Sequence, residues 1–320
     1  MLQLLLPAVN LKFIIGEALL FKTPRINGLL KMTNNDAAVE APSSSRASSS
    51  KQQPKLEITE KVRVLCLHGY RQDGDAFKNK LGSFRKFTSK YAEFVFISAP
   101  HIAAPLESAA EPVPEQRSWW ANKDDGTFKG TNKGGPAFGF QDSLRLVEEA
   151  WKTQGPFQGL LGFSQGACFV GLICGLAKKK LTSIRPEFAV LSSGFVSGSL
   201  VHMSAYEEPV SIPTLHIYGS SDEIIPKDMS ALLTSHFKNV EVLEHGGGHY
   251  FPATAQQKQT YINFFQDRLQ EYLEHLELQQ SSSVSFIESG AEDNDDDGDA
   301  NDAEVAAATA AAGSDLDDSD

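Results

Sequence analysis

Short runs of apolar residues alternate with longer amphipathic segments from residue 61 onwards. The runs are continuous and do not alternate between apolar and polar residues, which is typical of strands buried on both faces. The pattern predicts an α/β fold, in which helices cover both faces of a mostly parallel sheet of about six strands. The predicted strands are 62–67, 94–98, 159–163, 188–192, 214–218 and 240–244, and the predicted helices are 75–89, 141–153, 165–180, 228–237 and 254–277.

The composition divides the chain into three parts. Residues 1–57 form an N-terminal extension and linker, in which 33–55 are rich in Ser, Ala and Pro and lack periodic apolar residues. Such a segment cannot offset its ordering entropy by burial, so it is predicted to be disordered. Residues 58–278 contain every predicted strand and helix and form one folded domain. Residues 279–320 are predicted to be a disordered acidic tail.

The first residues of the chain are apolar, but Lys12 and Glu17 interrupt them, so a membrane-spanning helix is not predicted. They also lack the basic start and the cleavage site of a secretory signal. One interpretation of this segment is a mitochondrial targeting sequence, and the favoured one is an extension upstream of a start at Met32. Three cysteines without CxxC spacing fit neither a disulfide framework nor a zinc site and indicate a reducing compartment. The predicted location is the cytoplasm.

The net charge of −12 comes from the tail. Thirteen of the 41 acidic residues lie within 281–320, which contains no Lys or Arg, so the rest of the chain has 28 acidic and 29 basic residues. This near-neutral remainder gives no indication of a surface for nucleic acid or for an anionic membrane.

An Asp-rich stretch of the tail, DNDDDGDANDAE (293–304), has the spacing of an EF-hand calcium loop. Its ligands would be Asp293, Asp295, Asp297 and Glu304. The segment before it is a poor incoming helix and Ala300 replaces the usual apolar anchor. We therefore interpret it as a solvated acidic tail, and no metal site is predicted.

A serine lies between two glycines where the apolar run 159–163 ends. Gly162-Phe163-Ser164-Gln165-Gly166 matches the G-x-S-x-G pattern, which is weak as a string but here joins a predicted strand to a predicted helix. This context indicates a nucleophile elbow, in which the serine adopts a strained backbone and the glycines let strand and helix approach closely. The alternative is a serine that only caps the helix, which would not require both glycines.

A serine nucleophile needs a base, and the base needs a group that orients it. In this fold the chain order should be serine, acid and histidine, each after a strand. Asp222 follows the fifth predicted strand and His249 follows the sixth, so they are the predicted acid and base. The rivals are weaker: Glu223 would point away from Asp222, His245 lies close to the strand body, and His216 lies inside a strand.

The tetrahedral intermediate of acyl transfer carries an oxyanion that backbone N–H groups must bind. One donor should be the residue after the nucleophile, Gln165, and the other should come from the loop after the first strand. In that loop His68-Gly69 turns the chain, so the N–H of Tyr70 is the predicted second donor and that of Arg71 the alternative.

A long insert, residues 101–139, separates the second strand from its helix, and loops of this length are often functional. Its aromatic residues include Trp119, Trp120 and Phe128. Trp119 and Trp120 are candidate substrate-binding residues, as part of a lid or acyl pocket. An equally weighted interpretation is that the two tryptophans only anchor the insert on the core.

Four segments resemble the family serine hydrolases (the FSH group), and in particular the ovarian-cancer-associated branch of metazoan esterases. They are VLCLHGYRQDGDAFKNKLGSFRK (64–86), LLGFSQGA (160–167), YGSSDEIIP (218–226) and HGGGHYFP (245–252). The resemblance covers about residues 60–275 and implies an α/β-hydrolase fold and carboxylic-ester hydrolase activity, with fairly long acyl or alkyl esters as substrates. It also implies that Ser164 is the nucleophile, Asp222 the acid and His249 the base.

The sequence therefore predicts a serine carboxylesterase that acts on small-molecule or lipid-like esters through an acyl-enzyme. An acyl thioesterase shares this chemistry and differs only in its pocket, and a catalytically silent hydrolase fold used for binding is a more distant alternative. No cofactor is expected, because ester hydrolysis needs only water and no dinucleotide fingerprint follows any strand.

Overall fold

The computed structural model describes residues 61–104 and 115–289, with side chains as far as residue 279. The predicted linker at 33–55, Met32, most of the predicted acidic tail and the Asp-rich stretch at 293–304 lie outside the described residues.

Six parallel strands form the central sheet of the described part of the chain. Their order across the sheet is β2-β1-β5-β6-β7-β8, and every neighbouring pair is parallel. A short antiparallel pair, β3 and β4, lies in the insert. The strands are β1 (Val62–Leu67), β2 (Ala92–Ile97), β3 (His101–Ile102), β4 (Arg117–Ser118), β5 (Gly159–Phe163), β6 (Phe188–Ser192), β7 (Val210–Gly219) and β8 (Phe237–His245).

Helices cover both faces of the sheet, which confirms the predicted α/β architecture. A 3₁₀ helix, Leu200–Tyr206, which the apolar pattern did not indicate, connects β6 to β7. The α-helices are α1 (Gly74–Lys80), α2 (Gly82–Thr88), α3 (Phe140–Gln154), α4 (Gln165–Lys178), α5 (Lys227–Thr234) and α6 (Lys258–Ser289).

The side chains of β1 alternate between two apolar clusters. Leu65 and Leu67 lie in the cluster covered by α3, α4 and α5. Val62, Val64 and Cys66 lie in the cluster covered by α1, α2 and α6. Because both clusters exclude water, nearly every position of the strand must be apolar, which explains the continuous run in the sequence.

Several element boundaries differ from the predicted ones. The predicted helix 75–89 is two helices that meet at Leu81. Strand β7 begins at Val210, before the predicted 214–218, and its pairing with β8 is irregular between Val210 and Pro213. Proline has no N–H to donate, so the hydrogen-bond ladder of β7 is irregular near Pro213. The paired strand therefore extends beyond the apolar run that predicted it.

Helix α6 continues past residue 278, where the predicted folded domain ends, as far as Ser289. Of the helices within the described ranges, none is long and apolar enough to cross a membrane.

The order in which strands are added to the sheet changes direction at β1. From β1 the chain continues to β2 on one side, and the later strands β5 to β8 follow on the other side, so a crevice opens between β1 and β5 at the carboxyl edge of the sheet. Parallel α/β sheets bind ligands in the crevice that such a reversal opens. The segments that meet there are the loop after β1, which begins at His68, and the turn after β5, which contains Ser164.

Four histidines of the described residues are buried: His68, His202, His216 and His245. Burial lowers the pKa of each below 6.5, to about 4 for His68 and His202 and to about 3 for His216. Each ring is therefore neutral in the folded protein at neutral pH, and the first three resist protonation until the pH is near 4 or below.

We expect this protein to lose stability as the pH falls below 6.5. In that range the unfolded chain binds protons at the four imidazoles and the folded chain does not, until the pH reaches their lowered pKa values. The free energy of unfolding should then fall by up to about 1.4 kcal/mol per pH unit for each ring. Urea denaturation across this range measures the slope. His216→Leu should reduce it by about a quarter to a third, and an unchanged slope in that variant would contradict the assignment.

Candidate active site

The turn between β5 and α4 holds Ser164 in a strained conformation. Ser164 has φ of 53° and ψ of −115°, outside the regions that a non-glycine residue ordinarily adopts. Its N–H donates to the carbonyl of Ser192 at the end of β6, at 2.8 Å, which fixes the turn against the sheet. The Ser164 side chain makes no capping hydrogen bond to α4, so the structure gives no support to the alternative of a helix cap.

Both glycines of the motif are required by close backbone contacts. A Cβ at Gly166 would lie 2.1 Å from the carbonyl oxygen of Leu67, and one at Gly162 would lie 2.4 Å from that of Gly166. The first contact brings the loop after β1 directly against the start of α4. The glycines therefore set the distance between the two segments that meet at the carboxyl edge.

The side chains of Ser164, His249 and Asp222 form one chain of hydrogen bonds. His249 Nε2 lies 3.0 Å from Ser164 Oγ, and His249 Nδ1 lies 2.8 Å from Asp222 Oδ2. The His249 side chain is 19% exposed and the Asp222 side chain is fully buried. The imidazole therefore faces both solvent and the serine, while the carboxylate behind it is shielded from water.

Two backbone donors hold the carboxylate of Asp222 in place. Asp222 Oδ1 accepts hydrogen bonds from the N–H groups of Ile224 at 3.0 Å and Ile225 at 2.9 Å. These bonds use one oxygen and leave the other for His249. The ring of His249 packs against Phe163, with centroids 5.0 Å apart, so its orientation is fixed on two sides.

The rival residues lie elsewhere. Glu223 is exposed. His245 Nδ1 accepts from the N–H of Gly247 at 3.2 Å, and its ring packs on Tyr250. His216 lies in the core beside Phe237. The structure thus brings together the three predicted residues and places none of these rivals in the hydrogen-bond chain.

Two unengaged amide groups lie at the same edge. In the described part of the chain, the N–H groups of Tyr70 and Gln165 make no hydrogen bond, which leaves them available to an incoming anion. The N–H of Arg71, the alternative donor, is already bonded to the carbonyl of Arg117 at 2.9 Å. Gln165 is the first residue of α4, where the helix dipole also favours negative charge.

Comparison with known protein families gives a direct match at this point. Residues 58–261, which include the whole site just described, match the family described as "Serine hydrolase (FSH1)". The chain belongs to this family. The resemblance noted in the sequence is thereby confirmed, and the protein is a serine hydrolase.

Curated relatives of this FSH1-family chain are named as esterases. "Esterase CG5412" of Drosophila melanogaster is 83% identical over 289 residues, which are 90% of this chain and all of that protein. "Esterase AAEL000016" of Aedes aegypti is 61% identical and covers 73% of this chain and 86% of its own length. "Esterase OVCA2" of Danio rerio is 39% identical, over 63% of this chain and 96% of its own. These likenesses support assignment of the chain as a carboxylic-ester hydrolase.

His68 shapes the loop after β1 in this FSH1-family member. Its Nε2 accepts the N–H of Ala99 at 2.9 Å, so the ring proton is on Nδ1, which lies 2.7 Å from the carbonyl oxygen of Gly69 and donates to it. Both bonds suit a neutral imidazole, in agreement with the pKa of about 4 that burial gives this group. The sequence indicated only a turn here.

Trp119 and Trp120 lie inside the core, with exposures of 0% and 1%. Trp119 Nε1 donates to the carbonyl of His68 at 2.8 Å, and both rings pack against Phe169 of α4. This burial favours the second interpretation of the sequence, in which the tryptophans anchor the insert. Phe128, another aromatic residue of the insert, is partly exposed and packs on Tyr70, with ring centroids 5.4 Å apart.

The sequence pattern indicated roles only for the backbone of Gln165 and Tyr70 and none for their side chains. Gln165 is completely buried although it is polar, and it occupies the first position of an apolar helix. A buried amide must have hydrogen-bond partners, so a glutamine at the start of a buried apolar helix predicts that polar groups pack against it.

Proposed function

We propose that Ser164 is the nucleophile of a serine carboxylesterase, with His249 as its general base and Asp222 as the group that orients the imidazole. The observation that carries this proposal is the unbroken chain of hydrogen bonds from Asp222 through His249 to Ser164, with distances of 2.8 and 3.0 Å. These distances are within the range in which a base takes a proton directly. Membership of a serine hydrolase family supports the same roles.

The proposed reaction has two halves. In the first, Ser164 Oγ attacks the ester carbonyl while His249 Nε2 takes its proton, and the collapsing intermediate expels the alcohol, which receives that proton. In the second, His249 takes a proton from water, the resulting hydroxide attacks the acyl-serine, and the acid leaves as Ser164 regains its hydrogen. In both halves the N–H groups of Tyr70 and Gln165 bind the oxyanion.

We infer that the substrates are esters with a medium or long apolar chain. The support is the partly exposed ring of Phe128 and its apolar surroundings, since it packs against Tyr70, Trp120 and Phe195 with centroids 5.3 to 6.2 Å apart. The names of the curated relatives support an ester over a thioester. A p-nitrophenyl series from acetyl to dodecanoyl, beside the corresponding thioesters, measures both preferences through kcat/KM.

A fluorophosphonate probe tests the nucleophile directly. Attack by Ser164 Oγ on phosphorus expels fluoride and leaves a stable phosphonyl-serine. We expect the folded wild-type protein to be labelled once, on the peptide that contains Ser164, as measured by mass spectrometry. The Ser164→Ala variant and heat-unfolded protein are the controls, and neither should be labelled. A label on a different residue, or an equal label in Ser164→Ala, would refute the proposal and leave a non-catalytic hydrolase fold as the better description.

A further inference from the structure

The side chain of Gln165 joins the start of α4 to the insert. Its Oε1 accepts the N–H of Trp119 at 3.0 Å, and its Nε2 donates to the carbonyl of Trp120 at 2.8 Å. An amide is the side chain that suits this pair of partners, because it offers one acceptor and one donor on the same rigid group. All of these atoms are buried, so water cannot replace either bond.

The side chain of Tyr70 makes an analogous connection at a second place in the insert. Its hydroxyl donates to the carbonyl of Gly126 at 3.1 Å and accepts the N–H of Phe128 at 3.3 Å. Its ring packs on that of Phe128, with centroids 5.4 Å apart. Tyr70 thus holds the insert by two polar bonds and one aromatic contact.

The backbone next to Tyr70 is also paired with the insert. The N–H of Arg71 donates to the carbonyl of Arg117 at 2.9 Å, and the N–H of Arg117 donates to the carbonyl of Gln72 at 3.0 Å. Arg71 has φ of 61°, a left-handed conformation that a non-glycine residue rarely keeps without support. Pairing with β4 provides that support and fixes the direction of the peptide that carries the Tyr70 N–H.

We propose that residues 117–128 of the insert are a structural part of the oxyanion hole, and that Tyr70 and Gln165 act as positioning residues through their side chains as well as donors through their backbone. This proposal rests on the proposed function. An oxyanion donor works only within about 2.7–3.1 Å of the developing charge, so small movements of either peptide are costly. The same segment binds both donor residues and therefore fixes the spacing between the two N–H groups.

Two substitutions release the insert and leave both backbone N–H groups in the chain. Gln165→Met removes the amide at nearly constant volume, and Tyr70→Phe removes one hydroxyl. We expect each to lower kcat for a p-nitrophenyl ester by about 10-fold or more, with KM changed by less than about 3-fold, because the lost contacts matter most in the transition state. Gln158→Met is the matched control: Gln158 is also buried and accepts the N–H of Arg63 at 2.8 Å, beyond the opposite end of β5.

A second readout separates positioning from general loosening of the fold. A thiono ester develops its charge on sulfur, a weak acceptor, and so gains little from an oxyanion hole. If the donors are displaced, the preference of wild type for the oxo ester over its thiono analogue should shrink by about the same factor as kcat. Gln158→Met should keep the wild-type preference even if its melting temperature falls.

The outcomes are distinct. Wild-type kcat in both Gln165→Met and Tyr70→Phe would overturn the inference, and so would a lower kcat with an unchanged oxo-to-thiono ratio. Either result leaves the proposed function intact if Ser164→Ala is inactive. Full turnover in Ser164→Ala would instead refute the proposed function itself.

Discussion

Replacing Ser164 with alanine is expected to lower kcat for p-nitrophenyl esters by about 10⁶-fold. The variant keeps the imidazole and the carboxylate but has no side-chain oxygen at position 164 to attack the carbonyl. Some acceleration over the uncatalysed reaction should remain, because the variant retains the N–H groups of Tyr70 and Gln165, the proposed oxyanion donors. Steady-state kinetics with highly purified protein measures the loss.

The fold should tolerate this substitution. Ser164 Oγ bonds only to His249 within the described residues, and the N–H that donates to Ser192 is retained. A melting temperature close to wild type, measured by circular dichroism, is therefore the control for a chemical effect. Turnover within about 10-fold of wild type would show that a different group attacks the ester.

Asp222→Asn is expected to lower kcat by about 10⁴-fold, through the tautomer of His249. The N–H groups of Ile224 and Ile225 both donate to Oδ1, so the new amide must place its oxygen there. Its NH₂ group then faces His249 Nδ1 and donates to it. This bond selects the tautomer with the proton on Nε2, which points a donor at Ser164 Oγ and removes the base. The ring can stay in place while its function is lost.

Glu223→Gln is the matched control for Asp222→Asn. The two acids are adjacent, but Glu223 is exposed, and the hydrogen bond of His249 Nδ1 is made to Asp222. We expect its kcat and KM to stay within about 2-fold of wild type, since exposed substitutions away from the site have small effects. If Glu223→Gln lost activity and Asp222→Asn remained active, Glu223 rather than Asp222 would be the acid that orients His249.

The sheet could be predicted because burial on both faces forces a simple pattern. Strands such as β5 and β6 need apolar residues at every position, and the predicted bounds 159–163 and 188–192 match the observed ones. The longer strand β7 was underestimated, since its first residues include Pro213 and are partly exposed. At the ends of strands, burial no longer dictates residue type, so the apolar pattern does not predict where the strand begins or ends.

Once the G-x-S-x-G motif and the chain order had singled out Ser164, Asp222 and His249, their meeting could be predicted from the topology of the sheet. Each follows a parallel strand, so each must emerge at the same edge of the sheet. The arrangement of the insert could not be predicted in this way. Its course depends on single contacts such as those of Gln165, which pair residues 45 to 47 positions apart and have no periodic signature. The burial of Trp119 and Trp120 follows from the same contacts.

The attachment of the insert to Tyr70 and Gln165 has a consequence for how this enzyme could diverge. Here the insert is bonded to both residues whose backbone amides are the proposed oxyanion donors. On this proposal, mutations within residues 117–128 that change which substrates are accepted also change the rate of the chemical step, so substrate range and turnover evolve together rather than independently.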